Sequence, residues 1–141
     1  MRMLWLTSVV VLLFGCAIKP QPIEFGKDAC VYCKMNIVDQ QHAAEIVTKK
    51  GKVFKYDAIE CMLKDSERNQ ENLVGMYLVV DYLQPDGFID ATEATYLVSE
   101  AIPSPMGEYL SAFKNQSQTE EFISDEKDAV FSWSEIKNKI Q

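Results

Sequence analysis

Lys52-Val53-Phe54-Lys55-Tyr56-Asp57-Ala58-Ile59 reads as an apolar strand, a small polar cap and the opening of a helix. The same order returns 77 positions later in Ala129-Val130-Phe131-Ser132-Trp133-Ser134-Glu135-Ile136. Val53, Phe54 and Tyr56 suit a pleated surface, and Asp57, with Glu60 three positions on, has the form of a helix cap. Phe122-Ile123-Ser124 precedes the second copy much as Ile46-Val47-Thr48 precedes the first. A duplicated unit follows from this order. The repeated unit is strand-strand-helix, so the fold class is α+β, two similar halves around antiparallel pairs packed as one small domain, running over about 29–72 and 73–141.

Outward from the first copy, Gln41 to Tyr56 reads as two strands joined at Lys50-Gly51. Ala58 to Lys64 is the helix, with Ile59, Met62 and Leu63 facing a core. The polar run Ser66 to Asn72 is a loop. Val74 to Leu83 is the strongest strand signal in the chain. Pro85-Asp86-Gly87 is a turn, since proline presets φ and glycine accepts positive φ. Glu93 to Ser99 is a further strand. Met106 to Phe113 reads as a short helix with Met106, Tyr109, Leu110 and Phe113 on one stripe.

Cys30-Val31-Tyr32-Cys33-Lys34-Met35 carries the chemistry: two thiols and a thioether within six residues. In an extended segment, residues two apart share a face, so Cys33 and Met35 would present two sulfurs side by side. Soft donors of this kind select Cu(I) over hard cations. Met106, distant in sequence, is a further sulfur for such a site, although on an apolar stripe methionine is ordinarily core filler. Three readings of the cysteines stand open. Cys30 and Cys33 form a redox disulfide. Or Cys30, Cys33, Cys61 and His42 close a zinc site, though no second paired motif is present. Or some of the sulfurs hold Cu(I) with methionine. Cys61, in Ile59-Glu60-Cys61-Met62-Leu63, reads as core packing, and His42, the sole histidine, as a surface or turn residue with a lesser claim to ligation.

Across 141 residues the formal charge is −7 and the sequence pI about 4.7, which gives nucleic acid no electrostatic footing. There is no metal-hydrolase signature, no nucleophile elbow and no phosphate loop, so enzymatic chemistry has no visible machinery. Leu4 to Phe14 is an apolar run after Met1-Arg2-Met3, too short for a comfortable bilayer span and laid out as an export signal. Leu13-Phe14-Gly15-Cys16 resembles a bacterial lipobox. Residues 1–15 are then a lipoprotein signal peptide, Cys16 the lipidation site, 16–28 an extended anchored tether with Pro20 and Pro22, and 29–141 the functional domain. Maturation at Cys16 leaves 126 residues with 13 Lys and Arg against 21 Asp and Glu, a formal charge of −8.

Cys30 to Ile37, Ala43-Ala44-Glu45, Phe54 to Met62 and Pro105-Met106-Gly107 together resemble the NosL family over about Ala29 to Ile140. That resemblance implies a fold of two similar strand-strand-helix-strand units, in agreement with the repeat, and a lipid-anchored, periplasm-facing Cu(I) chaperone, on the outer membrane in a Gram-negative cell. It implies delivery of copper for the tetranuclear copper-sulfide centre of nitrous oxide reductase, with an ABC-type membrane complex as handover partner. The implied ligands are Cys33 and Met35 of the C-x-M motif and Met106, with Cys30 a further thiolate, release helper or redox partner. Many members carry a histidine inside the C-x-x-C loop, where this chain has Tyr32, which leaves His42 as the only available imidazole.

Overall fold

Thr48 and Val53 are joined by a tight turn in which the Thr48 and Gly51 amides bond Lys52 O and Thr48 O, each at 2.8 Å. Gly51 holds φ at +81°, which a glycine adopts without Cβ strain. The turn folds β1 (Ala44–Thr48) against β2 (Val53–Tyr56), with Ile46 opposite Phe54 and Ala44 opposite Tyr56. The computed structural model describes residues 18–66 and 73–140. The export segment, Cys16 and residues 67–72 of the polar loop lie outside the described residues.

β3 (Val74–Asp81) pairs with the other edge of β1, and β4 (Gln84–Asp90) with β3, giving an antiparallel sheet in the order β2-β1-β3-β4. The hairpin turn is Tyr82-Leu83, since Asp81 pairs with Gln84. Pro85-Asp86-Gly87 therefore lies inside β4 rather than forming the turn. An edge strand tolerates proline because one row of its amides has no ladder partner. β5 (Thr95–Val98) is the centre of a second antiparallel sheet, flanked by β6 (Leu110–Phe113) and β7 (Ala129–Phe131).

α1 (Ile59–Ser66) follows β2 and α2 (Trp133–Ile140) follows β7, as the repeated sequence order requires. The class is α+β, with two small antiparallel sheets and a helix after one strand of each. Two refinements come with it. The first sheet takes in β3 and β4, so the chain passes between sheets after Asp90, not near residue 72. In the second half the helix comes last, after β7, with a 3-10 turn at Gln116–Phe122 between β6 and β7. Met106 to Phe113 is not a helix: Gly107 and Tyr109 take φ of +77° and +56°, which ends any helical path. Leu110–Phe113 then forms a strand buried at all four positions.

The sheets share one core, in which Ile46, Tyr56, Ile59, Met62, Leu63, Val79, Tyr96, Leu110 and Ile136 pack together. The Tyr82 amide bonds Ala112 O at 2.9 Å and joins the two sheets directly. The segment read as an extended anchored tether lies against the domain from Ile18 onward. The Gln21 amide donates to Glu45 Oε1 at 2.9 Å, and Ile23 and Phe25 pack on the core.

Candidate metal centre

A short antiparallel ladder carries the first two cysteines. Gly26 N–H donates to Ile37 O at 2.8 Å, Ile37 N–H to Asp28 O at 2.9 Å, and Ala29 pairs with Asn36. Cys30 N–H then donates to Met35 O at 2.8 Å and Lys34 N–H to Cys30 O at 3.0 Å. The loop closes through Lys34, whose φ is +67°. The expected extended alternation of Cys33 and Met35 is thereby replaced by a knuckle. The Lys55 ammonium staples its base, donating to Asp28 at 2.7 Å and to Pro22 O at 2.8 Å, and the Val31 amide bonds Lys55 O of β2.

α1 brings the third sulfur. The Sγ atoms of Cys30, Cys33 and Cys61 all lie within 4.8 Å of one another, and all three are free thiols. Cys61 is thus part of the cluster, not merely core packing. Cys30 and Cys61 are buried while Cys33 is half exposed, so the group opens to solvent on one side. Asp57 stands one residue short of its expected capping role. Ala58 O takes the first helical bonds, from the Cys61 and Met62 amides, and buried Asp57 Oδ1 has no partner among the described residues.

The peptide donors around the cluster point at sulfur. Cys33 N–H donates to Cys30 Sγ at 3.5 Å, and the Asp57 and Tyr32 amides also reach that sulfur. The Met35 amide reaches Cys33. The hydrogen bond from the Cys61 thiol, followed by these amides, outweighs burial and lowers the Cys30 thiol to about 5. Cys33 is raised by its burial, and Cys61 is raised by donating to Cys30 and by its own burial. The three thiols therefore titrate as one coupled group, in which the first thiolate formed is steadied by a neighbouring thiol and by peptide N–H groups. Such a preformed negative pocket of soft donors suits a cationic soft metal.

The other expected ligands fall into three groups. Met35 lies on the rim at 55% exposure. Met106 is half buried and packs against the core cluster that contains Cys30 and Cys61. Its turn is tied to α1 on both sides: Ser104 Oγ donates to Glu60, and Lys64 donates to Glu108 at 3.1 Å. Glu60 therefore serves as an anchor for this loop, not as half of a capping box. His42 is not in the cluster. It is buried, with Nδ1 2.9 Å from Asp39 and Nε2 3.1 Å from Ser111 Oγ, so both ring nitrogens are already engaged. The ring bridges the segment before β1 to β6, and it stands outside the group of three sulfurs.

The NosL family model matches residues 22–141. The chain belongs to the NosL family. As a NosL protein it is not an enzyme. Its fold is similar to that of the copper chaperone NosL from Shewanella denitrificans, with a TM-score of 0.71 and 21% identity over 84% of this chain and 96% of that one. At that identity the likeness speaks for the fold. No curated protein sequence matches the chain significantly. Sequence reasoning placed Cys61 in the zinc alternative and otherwise read it as core packing, because its partners lie 28 and 31 positions away in sequence. The available signal was the odd number of cysteines left once Cys16 is assigned to lipid.

Proposed function

We propose that this NosL protein is a Cu(I) carrier whose cargo is held by Cys30, Cys33 and Cys61, with the thioethers of Met106 and Met35 on its open side. The observation that carries this reading is the convergence of three thiol sulfurs within 4.8 Å, two buried and one half exposed. Zinc in a structural site takes four ligands, drawn from cysteine and histidine. Among the described residues no histidine or carboxylate joins the three sulfurs. A low-coordinate, all-sulfur set is what Cu(I) accepts, and the half-exposed Cys33 leaves a side from which an acceptor's sulfur can enter before the others let go.

In the cell, this carrier is anchored through a lipid on Cys16 and faces the periplasm, on the outer membrane where there is one. It hands copper to an ABC-type membrane complex, and the copper serves the copper-sulfide centre of nitrous oxide reductase. The export layout of residues 1–16 and the family assignment support this setting.

The test is anaerobic Cu(I) titration against a competing chelator. One equivalent bound tightly, lost in Cys33→Ser and Cys61→Ser and weakened in Met106→Leu, is the expected result. Wild-type protein that fails to compete for Cu(I) while binding Zn(II) would overturn the copper reading. The mass of the mature protein extracted from membranes tests the lipid on Cys16 separately.

A further inference from the structure

From Ile46 to Tyr56 the chain holds four lysines and no acid, in a protein whose formal charge is −7. Lys49, Lys50 and Lys52 are exposed on the β1–β2 turn, and among the described residues none of them makes an ion pair. Lys52 lies over the Phe54 ring at 4.6 Å. Beside the turn, Phe54, Leu73 and Val74 line a groove of about 490 Å³ whose lip is Lys49, Lys50 and Lys52. Leu73 is 50% exposed. Lysines around an apolar floor are the composition of a surface that meets lipid headgroups with its charges and lets its apolar centre into the boundary.

The N-terminal segment arrives at this same tip. A Cβ on Gly75 would stand 3.2 Å from Ile18 Cγ2, 3.3 Å from Val47 O and 3.4 Å from Lys49 N, so Ile18 is packed at the base of the turn. Ile18 is two residues after Cys16. We propose that the Lys49–Lys52 turn, with Leu73, is the face that rests on an anionic bilayer, and that it sets the protein's orientation there. The biological setting rests on the lipid-anchor reading above, but the surface itself does not need the lipid.

The consequence for copper is geometric. β2 runs from the turn at Val53 to Tyr56, roughly 10 Å at strand rise, and near its far end Lys55 O accepts from the Val31 amide, next to Cys30, at 3.0 Å. With the basic turn on the headgroups, the cysteine cluster stands at the opposite end of the hairpin, directed away from the bilayer. The acidic remainder of the chain is repelled by the same surface and favours the same orientation.

The test uses the mature chain from residue 16 with Cys16→Ser, so that neither the apolar export run nor an acyl chain contributes, with sedimentation on vesicles of phosphatidylcholine alone or mixed with phosphatidylglycerol. Each surface lysine contributes roughly fivefold in partitioning at low salt, so on the order of a hundredfold is expected for all three. Binding should appear only on the anionic vesicles, fall with added salt, and vanish in Lys49→Gln/Lys50→Gln/Lys52→Gln. Neutralising Lys114, Lys127 and Lys139 instead should leave it in place. Equal binding to both vesicle types, no binding to either, or equal loss in the two lysine triples overturns the proposal. Cu(I) stoichiometry, unchanged in the turn variant, shows that the fold is intact. Absence of lipid on Cys16 in the native protein would fail the anchor reading alone.

Discussion

Ser104, in the loop before β6, donates its hydroxyl to Glu60 of α1, one residue from Cys61. Both side chains are buried, and Ser104 Oγ also accepts from the Leu110 amide at 3.4 Å. The bond ties the turn that carries Met106 to the helix that carries Cys61. Glu60 is raised first by burial, which the Ser104 hydroxyl and its own amide only partly offset. Ser104→Ala should therefore leave a buried acceptor unmet and cost about 1–3 kcal/mol in denaturant unfolding. Glu60→Gln keeps an acceptor oxygen for Ser104 and carries no buried charge, so it should unfold no earlier than wild type at pH 7. Equal destabilisation by the two changes would show that the Glu60 charge, not the hydroxyl bond, matters.

The same clamp bears on copper. Freed from Glu60, the Met106 turn retains only the partly exposed Lys64–Glu108 pair, a weak surface tie. Ser104→Ala should then lower Cu(I) affinity severalfold, and Met106→Leu should lower it about as much. The double variant should be no worse than Met106→Leu alone, because the clamp acts through that thioether. Additive losses in chelator competition would separate Ser104 from Met106.

The strand-cap-helix order at Val53 and Ala129 was legible because strand and helix signals are local. Strand followed by helix holds in both copies, as do the β1–β2 hairpin and β5, but Asp57 does not cap α1, and Phe122-Ile123-Ser124 ends the 3-10 segment instead of forming a counterpart of β1. The Tyr82-Leu83 turn was masked by Pro85-Asp86-Gly87, whose turn chemistry is equally compatible with an edge strand. Met106 to Phe113 has helical spacing, but the positive φ of Gly107 and Tyr109 and the pairing of β6 with β5 override it. Cys30 and Cys33 announce themselves by spacing. Cys61 does not, because the side of α1 it occupies is covered by segments far away in sequence. Ile59, Met62 and Leu63 give the readable stripe, but Glu60, Cys61 and Ser66 are buried as well, which no helical period announces.

His42 bridges Asp39 and Ser111 from a buried position. His42→Ala should remove two hydrogen bonds and open a cavity between β1 and β6, destabilising the fold by on the order of 2–4 kcal/mol. Cu(I) affinity of the folded fraction should be unchanged, since no ring nitrogen is directed at the cluster. Chelator competition below the unfolding temperature checks this. A tenfold loss of affinity with the fold intact would restore the histidine to the ligand set.

Glu45 sits in β1 beneath the docked N-terminal segment, fully buried. Oε1 accepts from Gln21, while Oε2 has no partner among the described residues. Burial raises its carboxyl above the ordinary 4.5, against the Gln21 amide and the nearby Lys55 charge. The native state thus holds this proton more tightly than the unfolded chain does. The sign follows: its contribution to stability is complete below about 4.5 and is lost as pH rises through the higher native value. Glu45→Gln keeps an acceptor for Gln21 and removes the charge that burial disfavours. The variant should gain on the order of 1 kcal/mol at pH 7 and little at pH 4, where the wild-type carboxyl is already largely protonated. Urea unfolding at the two pH values decides it. A gain of the same size at both would mean the buried charge is not the cause, and a loss at pH 7 would mean that Lys55 and Gln21 compensate the carboxylate fully.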